Sequence, residues 1–234
     1  MNIDRLDALV LCGGLGTRLR PLIADRPKGL AQIGGKPVLD IIVERLIAQG
    51  VRRIVFCVGH MKDQILAHFA IRSDNRFGFS EEASPLGTGG ALRNALPHVS
   101  SDPFLVLNGD SLCDVDVARF LAFHEACGAD ASLVLTVPGE NRDGGLVELD
   151  ERSRITQFIE KPGCTHTGSY INAGVYLLNA RVVAGPAAEF SLERDIFPAL
   201  AEEGRCYGFP VSGEVVDIGT PERWRRANAS PSYR

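Results

Sequence analysis

Short apolar runs alternate with stretches of helical spacing over the first 137 residues, and that rhythm limits what the chain can fold into. Ala8–Cys12, Arg53–Val58, Phe77–Ser80, Pro103–Leu107 and Ala131–Val137 read as strands. Helical segments fall between them at Val38–Gln49, Lys62–Ile71, Leu86–Leu96 and Val115–Cys127. The first places Leu39, Ile42, Val43, Leu46 and Ile47 on one face and stops at Gly50. The last has Asp114 or Asp116 as its N-cap. Strand–helix alternation predicts an α/β fold, with a mixed, mostly parallel sheet flanked by helices on both faces.

The second half changes character. Leu146–Leu149, Ile155–Ile159, Ser169–Leu178 and Cys206–Phe209 read as strands, with one helix at Ser191–Ala201. Fewer crossover helices predict antiparallel pairing, hence a smaller antiparallel lobe. Neither a linker-like stretch nor an internal repeat divides the chain, which predicts one domain over residues 1–234. Its 1–130 half would bind mainly one ligand and its 131–228 half mainly another. The tail from Ala229 is expected to fray.

Composition excludes several classes. The net charge of −4 gives no global basic field, so a nucleic-acid partner is not expected. No apolar stretch approaches the roughly 20 residues that span a bilayer, and no signal-like segment opens the chain, so the expected location is the cytoplasm. Six cysteines (12, 57, 113, 127, 164 and 206) form no C-x-x-C pair and read as reduced core thiols. The apolar helix faces leave a homo-oligomer open.

Chemistry concentrates where the first strand ends. Ala8–Cys12 runs into Gly13-Gly14-Leu15-Gly16-Thr17-Arg18-Leu19-Arg20-Pro21, and Pro27-Lys28 follows. Glycines let backbone N–H groups approach a phosphate, while Arg18 and Lys28 add a planar fork and a point charge. Two familiar phosphate loops are ruled out. Counting from Gly14 and Gly16, the third glycine of a dinucleotide fingerprint would be Leu19. Gly35-Lys36 is followed by Pro37 rather than Ser or Thr, and Leu30 stands where the P-loop needs glycine.

Gly-Gly-x-Gly-Thr-Arg-Leu-x-Pro followed by Pro-Lys resembles the signature of the sugar-1-phosphate nucleotidyltransferases. Five further segments extend the resemblance over residues 8–226: Leu86-Gly87-Thr88-Gly89-Gly90-Ala91, Asn108-Gly109-Asp110, Glu160-Lys161-Pro162, Tyr170–Tyr176, and Val216-Asp217-Ile218-Gly219-Thr220-Pro221-Glu222. Gly29 and Gln32 depart from the usual pattern after Pro-Lys, and Gly144-Gly145 stands where Tyr-Gly is frequent.

The resemblance implies a Rossmann-like nucleotide-diphospho-sugar transferase fold and a set of roles. A nucleoside triphosphate, GTP by the closest likeness, would lie on Leu11, Gly13, Gly14, Gly16, Thr17, Arg18, Glu82, Gly87, Thr88, Gly89 and Asn108. A sugar 1-phosphate would meet Gly145, Glu160, Lys161 and Asn172. Asp110 and Asp217 would hold Mg²⁺, and Arg18, Lys28 and Asp110 would be catalytic. Gly-Thr-Gly-Gly-Ala, Asn-Gly-Asp-Ser at 108–111 and the short chain look most like bacterial D-glycero-D-manno-heptose 1-phosphate guanylyltransferases. Mannose 1-phosphate guanylyltransferases, and uridylyltransferases acting on N-acetylmuramate or glucose 1-phosphate, are the alternatives. No hexapeptide repeats follow the last segment, so no fused acetyltransferase domain is expected. A catalytically idle, nucleotide-sugar-binding regulatory paralogue would be marked by loss of Lys28, Asp110 or Asp217, and all three are present.

Overall fold

A computed structural model describes residues 1–70, 76–138, 144–160, 170–185 and 187–230. Thirteen strands are assigned in these residues: β1 (Asp7–Leu11), β2 (Gln32–Ile33), β3 (Lys36–Pro37), β4 (Arg53–Val58), β5 (Phe77–Glu81), β6 (Phe104–Asn108), β7 (Ser111–Leu112), β8 (Ala131–Thr136), β9 (Leu146–Leu149), β10 (Ile155–Ile159), β11 (Tyr170–Leu178), β12 (Cys206–Pro210) and β13 (Val216–Asp217). Six α-helices accompany them: α1 (Val38–Ala48), α2 (Lys62–Ala70), α3 (Gly87–Ala95), α4 (Val117–Cys127), α5 (Phe197–Glu202) and α6 (Pro221–Ala229).

Nine strands form one sheet. Its parallel part runs β5-β4-β1-β6, and β11 then joins β6 antiparallel. Strand β11 also carries β8, itself parallel to β12, and its N-terminal end pairs with β9 and through it β10. The antiparallel strands of the second half therefore extend the same sheet.

Side-chain period explains the layers. Along β1, Ala8 and Val10 face a core built with α1, α2 and α4, while Leu9 faces a second core built with α3 and α5. Both sheet faces are covered, so β1, β4 and β6 read as nearly unbroken apolar runs. Asp116 caps α4 by accepting from the Arg119 N–H at 3.0 Å, and Gly128 ends that helix in the left-handed region.

The expected 191–201 helix is two elements. A π-helical turn, Leu192–Ile196, precedes α5, which begins at Phe197 with Pro198 behind it. Proline has no N–H to continue the previous turn, and the wider turn accommodates it. The short pairs β2–β3 and β7–β13 have no apolar signal and were not expected. Five described cysteines are free, with Cys57 and Cys206 buried, while Cys164 lies outside the described residues. Among the described residues, no helix is long and apolar enough to cross a membrane.

Candidate active site

The sheet order locates a crevice. From β1 the chain moves outward to β4 and β5, then returns to place β6 on the other side of β1. Ligands in open α/β sheets bind outside the carboxyl ends of the strands at such a reversal. At that point Leu11 is level with Asn108. The glycine loop leaves β1 there, and Gly109-Asp110 leaves β6 beside it, with the Gly109 N–H donating to the Leu11 carbonyl at 2.8 Å. A cavity of about 240 Å³ opens between them, lined among others by Gly14, Gly16, Thr17, Arg18, Lys28 and Asp110.

Leu19 holds the loop in place. It is wholly buried, and the Leu19 and Arg20 N–H groups donate to the Gly16 carbonyl at 3.0 and 3.1 Å. Thr17 and Arg18 are left exposed at the cavity. Among the described residues the Arg18 guanidinium has no hydrogen-bond or ion-pair partner. A Cβ built on Gly219 would lie 3.4 Å from its Nη2.

Two carboxylates distant in sequence meet at Lys28. Strand β13 pairs with β7 so that Asp217 is level with Ser111, and the Ile218 N–H donates to the Asp110 carbonyl at 3.1 Å. Lys28 lies between the two side chains, its Nζ 2.5 Å from Asp110 Oδ2 and 3.7 Å from Asp217 Oδ1. Arg223, on the first turn of α6, donates to Asp217 Oδ2. The Thr220 hydroxyl caps α6, and that helix is tied to the β2–β3 hairpin by Trp224 Nε1 donating to the Gln32 carbonyl at 2.9 Å.

Gly29 has a packing reason. A Cβ there would come within 2.8 Å of the Leu39 side chain and 3.2 Å of the Gly109 carbonyl. The turn carrying Lys28 thus packs directly on the turn carrying Asp110.

The second glycine segment packs against residues 188–190. Gly87 has φ +72°, and a Cβ on it would fall 2.4 Å from the Phe190 carbonyl oxygen. That carbonyl accepts from the Gly89 and Gly90 N–H groups at 3.0 and 3.2 Å. The Thr88 hydroxyl donates to Glu193 at 2.6 Å and accepts from the Leu192 N–H at 2.9 Å. Both Gly87 and Thr88 are thereby fixed by contacts within the chain.

A third group of polar residues gathers on β11. The strand bulges between Asn172 and Tyr176, and Gly174 in the bulge packs against the Asn108 side chain. Asn172 accepts from the Gly174 N–H at 3.0 Å and donates to the Tyr176 hydroxyl at 2.8 Å. One amide hydrogen and one lone pair of Asn172 are left over by these two bonds. Its own N–H donates to the Gly145 carbonyl at 2.9 Å, and Glu160 lies against Gly145. Gly145, Glu160 and Asn172 are thus neighbours, whereas Lys161 lies outside the described residues. Glu193, from the π-helical turn, joins Thr88, Ser191 and Tyr176 at 2.6, 2.8 and 3.4 Å.

Electrostatics sorts the remaining groups. Burial pushes the Cys12 thiol well up, with the nearby Cys57, Glu82 and Asp110 adding to the effect. Cys12 is therefore a neutral wall of the cavity and not a thiolate nucleophile. Burial also raises Tyr176, helped by Glu193, so its hydroxyl stays protonated and able to donate.

Glu82 lies against Gly13, where a Cβ would approach its Oε1 to 2.7 Å, and it accepts from the Leu86 N–H at 3.2 Å. Partial burial raises its carboxyl above the usual range, while the Leu86 bond pulls the other way. The folded state therefore binds this proton more tightly than the unfolded chain does. Its contribution to stability is fully present below the unfolded value of 4.5 and is lost as pH rises through the folded one. Glu82→Gln is expected to raise the thermal midpoint at pH 8 and leave it unchanged at pH 4. A lower midpoint at pH 8 would mean that the ionised carboxylate is favoured in the fold.

Sequence reading missed three residues of this region: Tyr176, Glu193 and Arg223. Tyr176 sat inside an apparently ordinary strand and Glu193 at an ordinary helix start, and only the packing of the π-helical turn on β11 brings them together. Arg223 was one of three arginines on a polar helix.

The family described as nucleotidyl transferase matches residues 7–231. Mannose-1-phosphate guanylyltransferase of Mycobacterium tuberculosis (strain ATCC 25618 / H37Rv) is 36% identical, the alignment covering 98% of this chain and 65% of that protein. The catalytic subunit beta of mannose-1-phosphate guanylyltransferase from Drosophila pseudoobscura pseudoobscura is 36% identical, over 92% of this chain and 59% of that one. The chain spans 59–65% of the length of these two curated relatives. Among solved structures, HddC from Yersinia pseudotuberculosis complexed with GMP-PN has a TM-score of 0.82 and 31% identity, covering 95% of this chain and 98% of that chain. A glucose-1-phosphate thymidylyltransferase from Bacillus anthracis, described as putative, has a TM-score of 0.82 at 23% identity and shares the fold.

Proposed function

Because this chain belongs to the nucleotidyl transferase family, we propose that it joins a nucleoside triphosphate, GTP, to a sugar 1-phosphate, giving a nucleotide sugar and pyrophosphate. The observation that carries the reading is the meeting of Asp110, Asp217 and Lys28 opposite the glycine loop. Guanine is favoured by the names of the curated relatives and by the GMP-PN bound to HddC.

The chemistry needs little from the protein beyond position and charge. A phosphate monoester has a second pKa near ~6, so at neutral pH the sugar phosphate is already mostly dianionic. Its oxygen attacks the α-phosphorus in line, the bond from the α-phosphorus to the bridging oxygen breaks, and pyrophosphate leaves with that electron pair. No general base is required. The obstacle is repulsion between two polyanions, which preorganised cations reduce. Arg18 stabilises the pyrophosphate side, and Lys28 the reacting phosphates. Glu82 accepts from the base edge, and Thr88 and Asn108 flank the nucleotide. Glu160 and Asn172 hold sugar hydroxyls over Gly145, with Lys161 on the sugar phosphate. Glu193 and Tyr176 orient Asn172 and Thr88 from behind.

Asp110 and Asp217 suit a divalent cation. Among the described residues no third His, Cys, Asp or Glu joins them in a metal-ligating cluster. Mg²⁺ would suit a site with so few protein ligands. Asp110 and Asp217 would hold it, and it would supply positive charge that offsets the repulsion between the phosphates.

For the sugar, the motif likeness favours the heptose, and the names of the curated relatives favour mannose. Both have the manno configuration, so we assign a manno-configured 1-phosphate, the heptose first. The test is pyrophosphate release with Mg²⁺, crossing GTP, UTP, CTP, dTTP and ATP with heptose, mannose, glucose and N-acetylmuramate 1-phosphates. Release with GTP and the heptose phosphate above all others is the expected result. Preference for mannose phosphate would replace only the sugar. Absence of release for every pair, from folded protein that still binds a nucleotide, would favour a regulatory binding protein.

A further inference from the structure

The carboxylate pair carries its own counter-ions. Lys28 Nζ faces Asp110 Oδ2 at 2.5 Å and Asp217 Oδ1 at 3.7 Å, and Arg223 takes Asp217 Oδ2. Two cationic side chains thus balance two anionic ones. The Lys28 side chain is 13% exposed and lines the cavity, with its ammonium at the place that looks onto both carboxylates. A divalent cation shared by Asp110 and Asp217 must bind their oxygens at about 2.1 Å if it is Mg²⁺. That position competes with Nζ.

We infer that Lys28 is a resident cation of this site, which exchanges with a divalent metal only when a triphosphate arrives to receive the displaced ammonium. This rests on the proposed nucleotidyl transfer and deepens it. A free metal ion meets a charge-balanced pair and must displace the Lys28 ammonium with no anion to accept it. A metal arriving with a nucleotide supplies that anion, because Lys28 is carried on the turn that lines the same cavity as the glycine loop. Gly29 fits against Leu39 and Gly109 without room for a Cβ, so the turn itself stays in place and the exchange is a side-chain movement. Metal and nucleotide binding are therefore coupled through Lys28, and by linkage each strengthens the other.

The experiment titrates Mn²⁺ into the full chain and follows free Mn²⁺ by electron paramagnetic resonance, with and without a non-hydrolysable GTP analogue, the Mn²⁺ taken up by the same analogue without protein being subtracted. The parent should bind Mn²⁺ weakly alone and at least tenfold more tightly with the analogue. Lys28→Met should bind Mn²⁺ alone at least tenfold more tightly than the parent does, and adding Asp110→Asn should remove that gain. Lys28→Gln serves as a second variant, with circular dichroism verifying the fold of each. If the parent responds to the analogue but neither Lys28 variant binds free Mn²⁺ more tightly, the exchange is overturned and the transferase reading stands. If the titration, repeated with the corresponding analogues of UTP, CTP, dTTP and ATP, also shows no Mn²⁺ taken up by the parent, both fall.

Discussion

Asp110→Asn is expected to lower the rate of pyrophosphate release by about a thousandfold or more, with the fold intact, on the scale of losing a preorganised electrostatic group. Asn keeps the size and removes the charge. The Asp110 side chain is 38% exposed, so its loss opens no core cavity. The bond that anchors β13 beside it comes from the Ile218 N–H to the backbone carbonyl of residue 110, which the substitution leaves alone. The consequence is therefore confined to Lys28, which loses its 2.5 Å partner, and to cation binding. Turnover under saturating substrates, with the denaturant midpoint measured alongside, checks it. A variant with full activity would remove Asp110 from the chemistry.

Arg18→Ala is the second large effect, a loss of about 2 kcal/mol or more of transition-state stabilisation, or roughly thirtyfold in kcat/KM. Leu19 pins the loop from below, so truncating the exposed neighbour should leave the backbone where it is. The guanidinium has no partner among the described residues to leave unsatisfied. Its effect should therefore appear as a kinetic loss with an unchanged melting temperature. Activity within twofold of the parent would contradict a role on the pyrophosphate side, and a fallen melting temperature would make Arg18 a structural residue.

Much of the architecture was readable because burial writes itself into side-chain period. β1, β4 and β6 are covered on both faces and appear as apolar runs, and α1 shows its stripe. The α4 cap and the Thr220-Pro221 start of α6 follow from local hydrogen bonding and proline geometry. The two-residue strands β7 and β13 were not readable, since they bury little and are defined by each other. Asp217 could be expected near Asp110 only through a family likeness, and the β7–β13 register supplies the physical reason. Arg223 was illegible for a local reason, since the short turn from β13 into α6 folds it back onto Asp217. The second glycine segment shows the opposite difficulty. Gly87 looked like room for a ligand, and its neighbour proves to be the Phe190 carbonyl. A glycine announces a close approach but does not say what approaches.

The pairing of β13 with β7 also has a meaning in time. By residue 210, all nine strands of the main sheet have been synthesised, and the glycine loop, Lys28 and Asp110 can be in position. Asp217, Arg223 and the helix that ties them to the β2–β3 hairpin have yet to emerge. A chain made to that point carries every strand of the sheet, while Lys28 has one acidic partner instead of two. Assembly of the cation site thus follows completion of the sheet in the order of synthesis, by a dozen or so codons.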